Sequence, residues 1–324
     1  MKDKVLLISP EFFDYHKMFK QGIMDLGLDC DWYSDRPNTS FATKALLRLN
    51  PKFLNNKIRE YLEQILSETK KQQYKYVMVV MGEVLTEEFM TKLKKQQPNA
   101  KYVYVFWDSI VNFSCGLKLV KYFDRVYTTD RKDAEKYKYN FIPLCYNPYV
   151  DTTSRKTEYD FSFIGTIKNG KNRKVNKLIE DLNKKYTNGF VYKYIQGKSV
   201  LLYNKCKYSE DFAGAKIKDY KYCTISEEEA VEVFKKSMYV LDVPMNKQKA
   251  LTGRSLNVLF LKKKLITTNK DIVNYDFYNE RDIYVYDQKK GIDFNSPFFN
   301  SEFEEIPNFE KYGLLSWLSQ LLFN

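Results

Sequence analysis

From its first residues onward the chain alternates short runs of β-branched and aromatic residues with longer stretches of helical period, and this alternation dictates the kind of core it can build. Val5 to Ile8, Cys30 to Tyr33, Tyr76 to Val80, Tyr102 to Phe106 and Arg125 to Thr128 read as strands. Between them run helical patterns over about Tyr15 to Leu26, Ala42 to Lys71, Thr86 to Gln96 and, more briefly, Gly116 to Tyr122. Strands that are continuously apolar are buried on both faces, which calls for a parallel sheet with helices above and below it.

The pattern breaks in FIPLCYNPYVDTTSRKTE, where two prolines are followed by a polar run after Asp151. Such a composition marks a connection between domains. The alternation then restarts: strand Phe161 to Ile164, helix Lys174 to Lys185, strand Val191 to Ile195, helix Glu227 to Lys236, strand Tyr239 to Val243, helix Ser255 to Leu261, and strands Leu265 to Thr268 and Ile283 to Tyr286. At 324 residues there is chain enough for two cores. The expected class is therefore α/β, with two tandem Rossmann-like, doubly wound parallel-sheet domains facing each other across a cleft. Residues 1–150 make the first domain and 151–308 the second. Residues 309–324 make a C-terminal helix whose apolar Tyr312, Leu314, Leu315, Trp317, Leu318, Leu321 and Leu322 either pack back on the first domain or touch a membrane.

The net charge of +12 allows an anionic partner, although lysine is abundant throughout and most of the excess fits a solvated surface. No RNA-binding signature or clustered basic helix is present, so nucleic acid is not the expected partner. Five scattered cysteines form no C-x-x-C pair, which points to neither a disulfide framework nor a zinc site and suits a reducing cytoplasm. Four apolar residues, Val5 to Ile8, are too few for a signal peptide, and no stretch reaches the ~20 apolar residues of a membrane span. The expected location is cytoplasmic, with the inner face of the membrane as an alternative.

Open parallel sheets bind ligands beyond the carboxyl ends of their strands, so the loops there carry the chemistry. One such loop starts at Gly165-Thr166 and runs through Lys168, Gly170, Lys171 and Arg173 into a helix. Its glycines and cations suit a phosphate or simply a flexible basic turn; Asn172 stands where a Walker loop needs a hydroxyl. A second loop follows the strand ending at Val243 and leads to Thr252-Gly253-Arg254-Ser255 at a helix start. The free N–H groups of a first turn attract an anion, hydroxyls of Thr252 and Ser255 add donors, and Arg254 offers a bidentate fork. Helix capping is the simpler alternative. Asn257, on an otherwise apolar line, faces either solvent or a ligand, and Ile225 lies just before the capping box Ser226 to Glu229, near enough to border a base.

In the first half, His16 is the only histidine and falls after the first strand, with Glu11 or Asp14 placed to orient it as a proton acceptor; a surface or capping role competes. Asp108, after the strand ending at Phe106, reads as a base, a substrate ligand or an N-cap, and Glu83 ends the third strand's loop. Asp29-Cys30-Asp31 matches D-x-D, a metal-binding pattern in some sugar-transfer enzymes, but it opens a strand at the end opposite the ligand, and no metal site is expected.

The stretches PEFFDYHK, the SDRP turn, FWDSIVN, DFSFIGT and above all LTGRSLNVLFLKKKLITTNKDIVNYDFYN resemble GT-B glycosyltransferases, in particular bacterial enzymes of capsular, extracellular or lipopolysaccharide glycan synthesis. The resemblance implies that the second domain binds a nucleotide-sugar donor and the first a glycan or lipid-linked acceptor, with Glu11 and Glu83 on the acceptor side. It implies further that Thr252, Gly253, Arg254 and Ser255 meet the donor diphosphate, helped by Lys171 and Arg173, and that Asn257 approaches the ribose. Many relatives carry glutamate where Asn257 stands. The donor is a substrate, and no cofactor is implied. A nucleotide-sugar epimerase of the same architecture and a non-catalytic nucleic-acid-binding protein are the alternatives, separated by conversion of donor without acceptor and by salt-sensitive oligonucleotide binding.

Overall fold

The computed structural model describes residues 2–11, 14–37, 55–168, 170–245 and 250–324. They form two compact units, one of Met1–Pro143 with Leu314–Asn324 and one of Leu144–Gly313.

The first unit runs β1 (Lys4–Ser9), α1 (Tyr15–Asp25), β2 (Asp29–Ser34), α2 (Asn55–Thr69), β3 (Tyr76–Val80), α3 (Glu87–Gln96), β4 (Lys101–Phe106), a 3-10 segment (Ser114–Tyr122), β5 (Arg125–Thr128), α4 (Arg131–Tyr137) and β6 (Asn140–Phe141). The sheet order is β2-β1-β3-β4-β5-β6, every pairing parallel. Val5 to Ile8 and Val77 to Val80 are buried, as unbroken apolar strands inside a covered sheet must be. Of the long helix expected over Ala42 to Lys71, residues 42–54 lie outside the described residues, and α2 accounts for most of the remainder.

A C-terminal helix (Leu314–Phe323) belongs to this unit. Leu314, Leu318, Leu321 and Leu322 are fully buried, and Trp317 stacks on Phe19 of α1 at 5.4 Å while its indole N–H donates to the Pro143 carbonyl at 2.9 Å. Gly22 makes the contact between the two helices possible, because a Cβ there would stand 2.7 Å from methyls of Leu314 and Leu318. The unit boundary falls after Pro143 rather than in the polar run beyond Asp151: the Tyr146 N–H donates to Tyr312 O at 2.9 Å, which holds that segment in the second unit.

The second unit runs β7 (Tyr159–Thr166), α5 (Asn172–Leu182), β8 (Gly189–Tyr194), α6 (Lys198–Lys207), α7 (Glu227–Lys235), β9 (Ser237–Asp242), α8 (Gly253–Phe260), β10 (Lys264–Thr267) and β11 (Ile283–Val285). Its sheet, again all parallel, has the order β11-β10-β9-β7-β8. Both sheets therefore place their first strand between their second and third, so strand addition reverses direction between β1 and β3 and again between β7 and β9. At such switch points the loops diverge and leave a crevice at the carboxyl ends.

Replacing Trp317 by alanine removes a buried indole and its hydrogen bond, at a cost of about 3–5 kcal/mol. Urea unfolding of the Trp317→Ala chain should show a midpoint far below that of the parent; an unchanged midpoint would mean that the C-terminal helix is not part of the first core.

Candidate functional site

Asp242 ends β9 with its side chain wholly buried. A carboxylate in that position must be met by donors, and two come from the first turn of α8: Arg254 Nη1 donates to Oδ1 at 2.9 Å and Ser255 Oγ to Oδ2 at 3.0 Å. Thr252 is the N-cap, its Oγ1 accepting the Ser255 N–H at 3.3 Å. The Thr252 and Ser255 hydroxyls thus shape the turn, Gly253 is buried within it, and Arg254 spends one of its nitrogens on Asp242. Nε and Nη2 have no partner among the described residues, and the side chain keeps a fifth of its surface in solvent. Asn246, in the preceding loop, lies outside the described residues.

Across the switch point, Lys171 sits at the start of α5, where β7 hands over through Gly165 and Thr166. Its side chain is buried, the residue being 6% exposed, with Nζ over the Phe163 ring at 5.6 Å. Gly165 leaves the room it uses, since a Cβ there would approach Nζ to 3.4 Å and the Phe163 ring to 3.0 Å. Three lysines are buried among the described residues. Lys235 meets Asp151 at 2.6 Å and Glu232 at 2.8 Å, and Lys264 donates to Phe298 O at 2.7 Å. The Lys171 ammonium alone of these has no hydrogen-bond or ion-pair partner among the described residues. Burial, then the charge of Arg254, pull its pKa down to about 7, against the opposite pull of Asp242.

The rest of the β7 loop is arranged differently from a phosphate cradle. The N–H groups of Gly170 and Arg173 both donate to the Asp211 carboxylate, at 2.8 and 2.9 Å, so the first turn of α5 is already capped by an internal anion. The Arg173 side chain is exposed and lines a depression of about 480 Å³ together with Lys174 and Lys207, away from the Lys171 ammonium. Thr166 is half-buried at the end of β7. Asn257 Oδ1 accepts the Asn147 N–H at 2.9 Å, tying the connecting segment to α8, and Ile225 is half-buried before the Ser226 N-cap. Lys171 and Arg254 are the predicted residues that the fold brings together; Asp242, which organises them, has as its only sequence signal a carboxylate near the end of a buried apolar strand.

In the first unit His16 is buried in the first turn of α1, its ring stacked on Trp32 at 4.4 Å. Nδ1 has no hydrogen-bond partner. Burial lowers its pKa, with Glu11 and then Asp14 opposing, so the ring is neutral at pH 7. Asp14 is exposed and pairs with Lys17 at 3.0 Å; Glu11 is exposed as well. Asp108 accepts from its own turn, Ser109 N–H at 2.8 Å and Asn112 Nδ2 at 3.3 Å, and so acts as a local cap. Glu83 binds Arg36 Nη2 at 2.7 Å, and the same guanidinium donates to the buried Asp35 at 3.0 Å. The Asp35–Arg36 pair has its sequence signal in the polar SDRP turn closing β2 and is not among the predicted site residues. Asp31 of the D-x-D is engaged by Lys4 at 2.8 Å and by the Tyr74 hydroxyl at 2.6 Å, and among the described residues no group of three or more His, Cys, Asp or Glu is placed to hold a metal ion.

No family model and no curated protein matches the sequence. Solved structures do match. The apo form of the lipopolysaccharide outer core galactosyltransferase WaaB aligns with a TM-score of 0.58 at 11% identity, over 99% of each chain. Sucrose-phosphate synthase from Thermosynechococcus elongatus aligns at 0.57 and 10% identity, over 99% of this chain and 95% of its own. HepE of Anabaena, in complex with UDP-glucose, aligns at 0.53 and 8% identity, over 98% and 95%. The chain has the GT-B fold. Within that GT-B fold, the Lys171–Arg254–Asp242 constellation occupies the switch point of the second sheet.

A buried lysine with a low pKa costs stability wherever the unfolded chain would hold the proton and the folded one does not. Lys171 titrates near 7 when folded and near 10.5 when unfolded, so its contribution to stability rises with pH between those values and is least favourable at and below pH 7. Lys171→Met should therefore stabilise the ligand-free protein at pH 7, by at most about 5 kcal/mol at 1.36 kcal/mol per pH unit, with the gain shrinking toward pH 10. Chemical denaturation across that range measures it, and a variant less stable than the parent at pH 7 would refute the assignment.

Proposed function

We propose that the protein is a glycosyltransferase that moves a sugar from a nucleotide-sugar donor to a glycan or lipid-linked acceptor, acting in the cytoplasm or at the inner face of the membrane. One observation carries the reading: a buried, unpaired lysine and a half-engaged arginine converge on the crevice at the switch point of the second sheet. Two basic side chains face one carboxylate, so without a ligand Lys171 tends to give up its proton, and an incoming anion supplies the counter-charge that lets it stay protonated. A diphosphate has the right charge, and the GT-B fold is shared with a galactosyltransferase and with a protein solved with UDP-glucose and with UDP and glucose.

The chemistry follows. Cleaving the bond between sugar and phosphate leaves an added negative charge on the departing diphosphate, and preorganised cations stabilise that charge without reorganising. Arg254, held in place by Asp242, presents its remaining nitrogens; Lys171 regains a full proton as the anion approaches. Fixed charge thus takes the part that a metal ion takes in other transfer enzymes. In the first unit we assign proton removal from the acceptor hydroxyl to His16, whose neutral ring and unpaired Nδ1 suit a base better than the hydrogen-bonded carboxylate of Asp108.

A thermal-shift screen of nucleoside diphosphates should find one that raises the melting temperature, with the shift lost in Arg254→Ala and Lys171→Met. Transfer should fall by about 100-fold or more in each, as for loss of a donor to developing charge. Unaltered affinity and turnover in Arg254→Ala would remove the proposal.

Proton uptake gives a second check. At pH 8 the free Lys171 is mostly neutral and the bound one charged, so diphosphate binding should draw a proton from the buffer. Calorimetry in buffers of different ionisation heat should show uptake for the parent and much less for Lys171→Met; equal uptake in both would place the proton elsewhere.

A further inference from the structure

The second unit has a surface that the crevice chemistry does not use. Helix α6 is anchored by the buried Leu201 and Asn204, yet on its outer side Leu202 and Tyr203 are each 56% exposed. Its ten residues include Lys198, Lys205 and Lys207 and no carboxylate. Lys205 Nζ donates to the Ala215 carbonyl at 2.8 Å, which fastens the following loop beside α6. That loop presents Ile217, 51% exposed, between Lys216 and Lys218. Single exposed apolar residues are ordinary on a protein surface. Two adjacent on a helix, a third on the loop strapped to it, and lysines on every side make a different pattern.

Lys207 joins this face to the depression of about 480 Å³ described above. Its Nζ donates to the Tyr203 hydroxyl at 2.8 Å, and the same side chain lines the depression with Arg173 and Lys174. Of the carboxylates nearby, Asp211 is committed to the N–H groups of Gly170 and Arg173, and Asp219 to the Lys216 N–H at 2.9 Å; Glu210 is the other acid at the wall. Cations are therefore left over beside an apolar edge.

We propose that this face of the second unit docks on an anionic phospholipid membrane, with lipid phosphates met by Arg173, Lys174 and Lys207 while Leu202, Tyr203 and Ile217 enter the boundary of headgroups and acyl chains. Each half of that arrangement has a physical cause. Bulky apolar side chains gain by leaving water, lysine stems lie along the apolar edge with their ammonium groups at headgroup level, and anionic lipid supplies the charge the protein face lacks. Among the described residues no helix is long and apolar enough to cross a membrane, so such contact would be interfacial. The inference holds whichever reaction the crevice performs.

The test is flotation of the full chain with vesicles of phosphatidylcholine alone or mixed with phosphatidylglycerol, at low and high salt. Binding is expected to the mixed vesicles only, and to weaken with salt. Leu202→Ser combined with Ile217→Ser, and separately Lys174→Glu combined with Lys207→Glu, should each lower binding at least 10-fold while leaving the melting temperature and nucleoside-diphosphate binding unchanged. All four side chains are outside the buried core, so folding is not at stake. Failure of the parent to float with the mixed vesicles, or undiminished flotation of both variants, would overturn the proposal. So would sedimentation showing that the apolar variant splits a dimer while vesicle binding persists, since the face would then hold a second copy of the chain.

Discussion

A carboxylate without solvent contact governs the second unit's binding end. Desolvating Asp242 is costly unless donors reach both oxygens, and the fold supplies them from the first turn of the next helix. That requirement fixes where α8 begins, which residue caps it and which way Arg254 points. It also explains an arginine at the positive end of a helix, an arrangement that is unfavourable by roughly 0.3–1 kcal/mol on its own. Asp242 offsets the repulsion for one cation. The second basic side chain, Lys171, has no such counterion, and the proposed donor site rests on that imbalance.

The β/α order of both units was legible because fully buried parallel strands are written as unbroken apolar runs, and Arg125 to Thr128 coincides with β5 residue for residue. Helices α4 and α6 leave no clear period in the sequence. The first is seven residues long and is defined by Asp130 capping Lys132 and Asp133, a local hydrogen-bond pattern without apolar period. The second carries apolar residues on both its buried and its exposed sides, so no period stands out. Thr252 to Ser255 announced a helix start correctly, and their spacing was informative because capping is a local matter. The burial of Lys171 was not legible, since it depends on Gly165 and Phe163 across the loop. Neither was the capture of Gly170 and Arg173 by Asp211, a partner 41 and 38 positions away. Asn257 looked free for a ligand because its acceptor role is satisfied from 110 positions away, by Asn147.

The face proposed to dock on a membrane is not the one that apolar content alone would pick. The C-terminal helix is the more hydrophobic of the two candidates, but it has no lysine or arginine and Leu314, Leu318, Leu321 and Leu322 are fully buried in the first unit, which leaves Leu315 and Phe323 as its exposed large apolar residues. Helix α6 is less apolar and keeps its bulky residues outside among cations. Interfacial helices need that combination, since charge attracts the anionic surface and apolar side chains hold it.

The energetic position of Lys171 bears on function more than its location does. Nothing in the packing of β7 and α5 requires an ammonium there: the stem is surrounded by Phe163 and Gly165, and a methionine of similar length would fill the same space without carrying a charge out of water. The two other buried lysines differ in this respect, because each ties two parts of the chain together through its hydrogen bonds. In the proposed function, a residue that lowers the stability of the ligand-free fold and has no structural partner is accounted for by what it does when a ligand is present, as stability is commonly surrendered at sites that must bind or react. Binding then restores the missing interaction, so the same charge that weakens the empty protein strengthens the loaded one. On the proposed function, coupling of that kind would link occupancy of the crevice to the β7–α5 junction and, through Asp242, to the start of α8, within one unit.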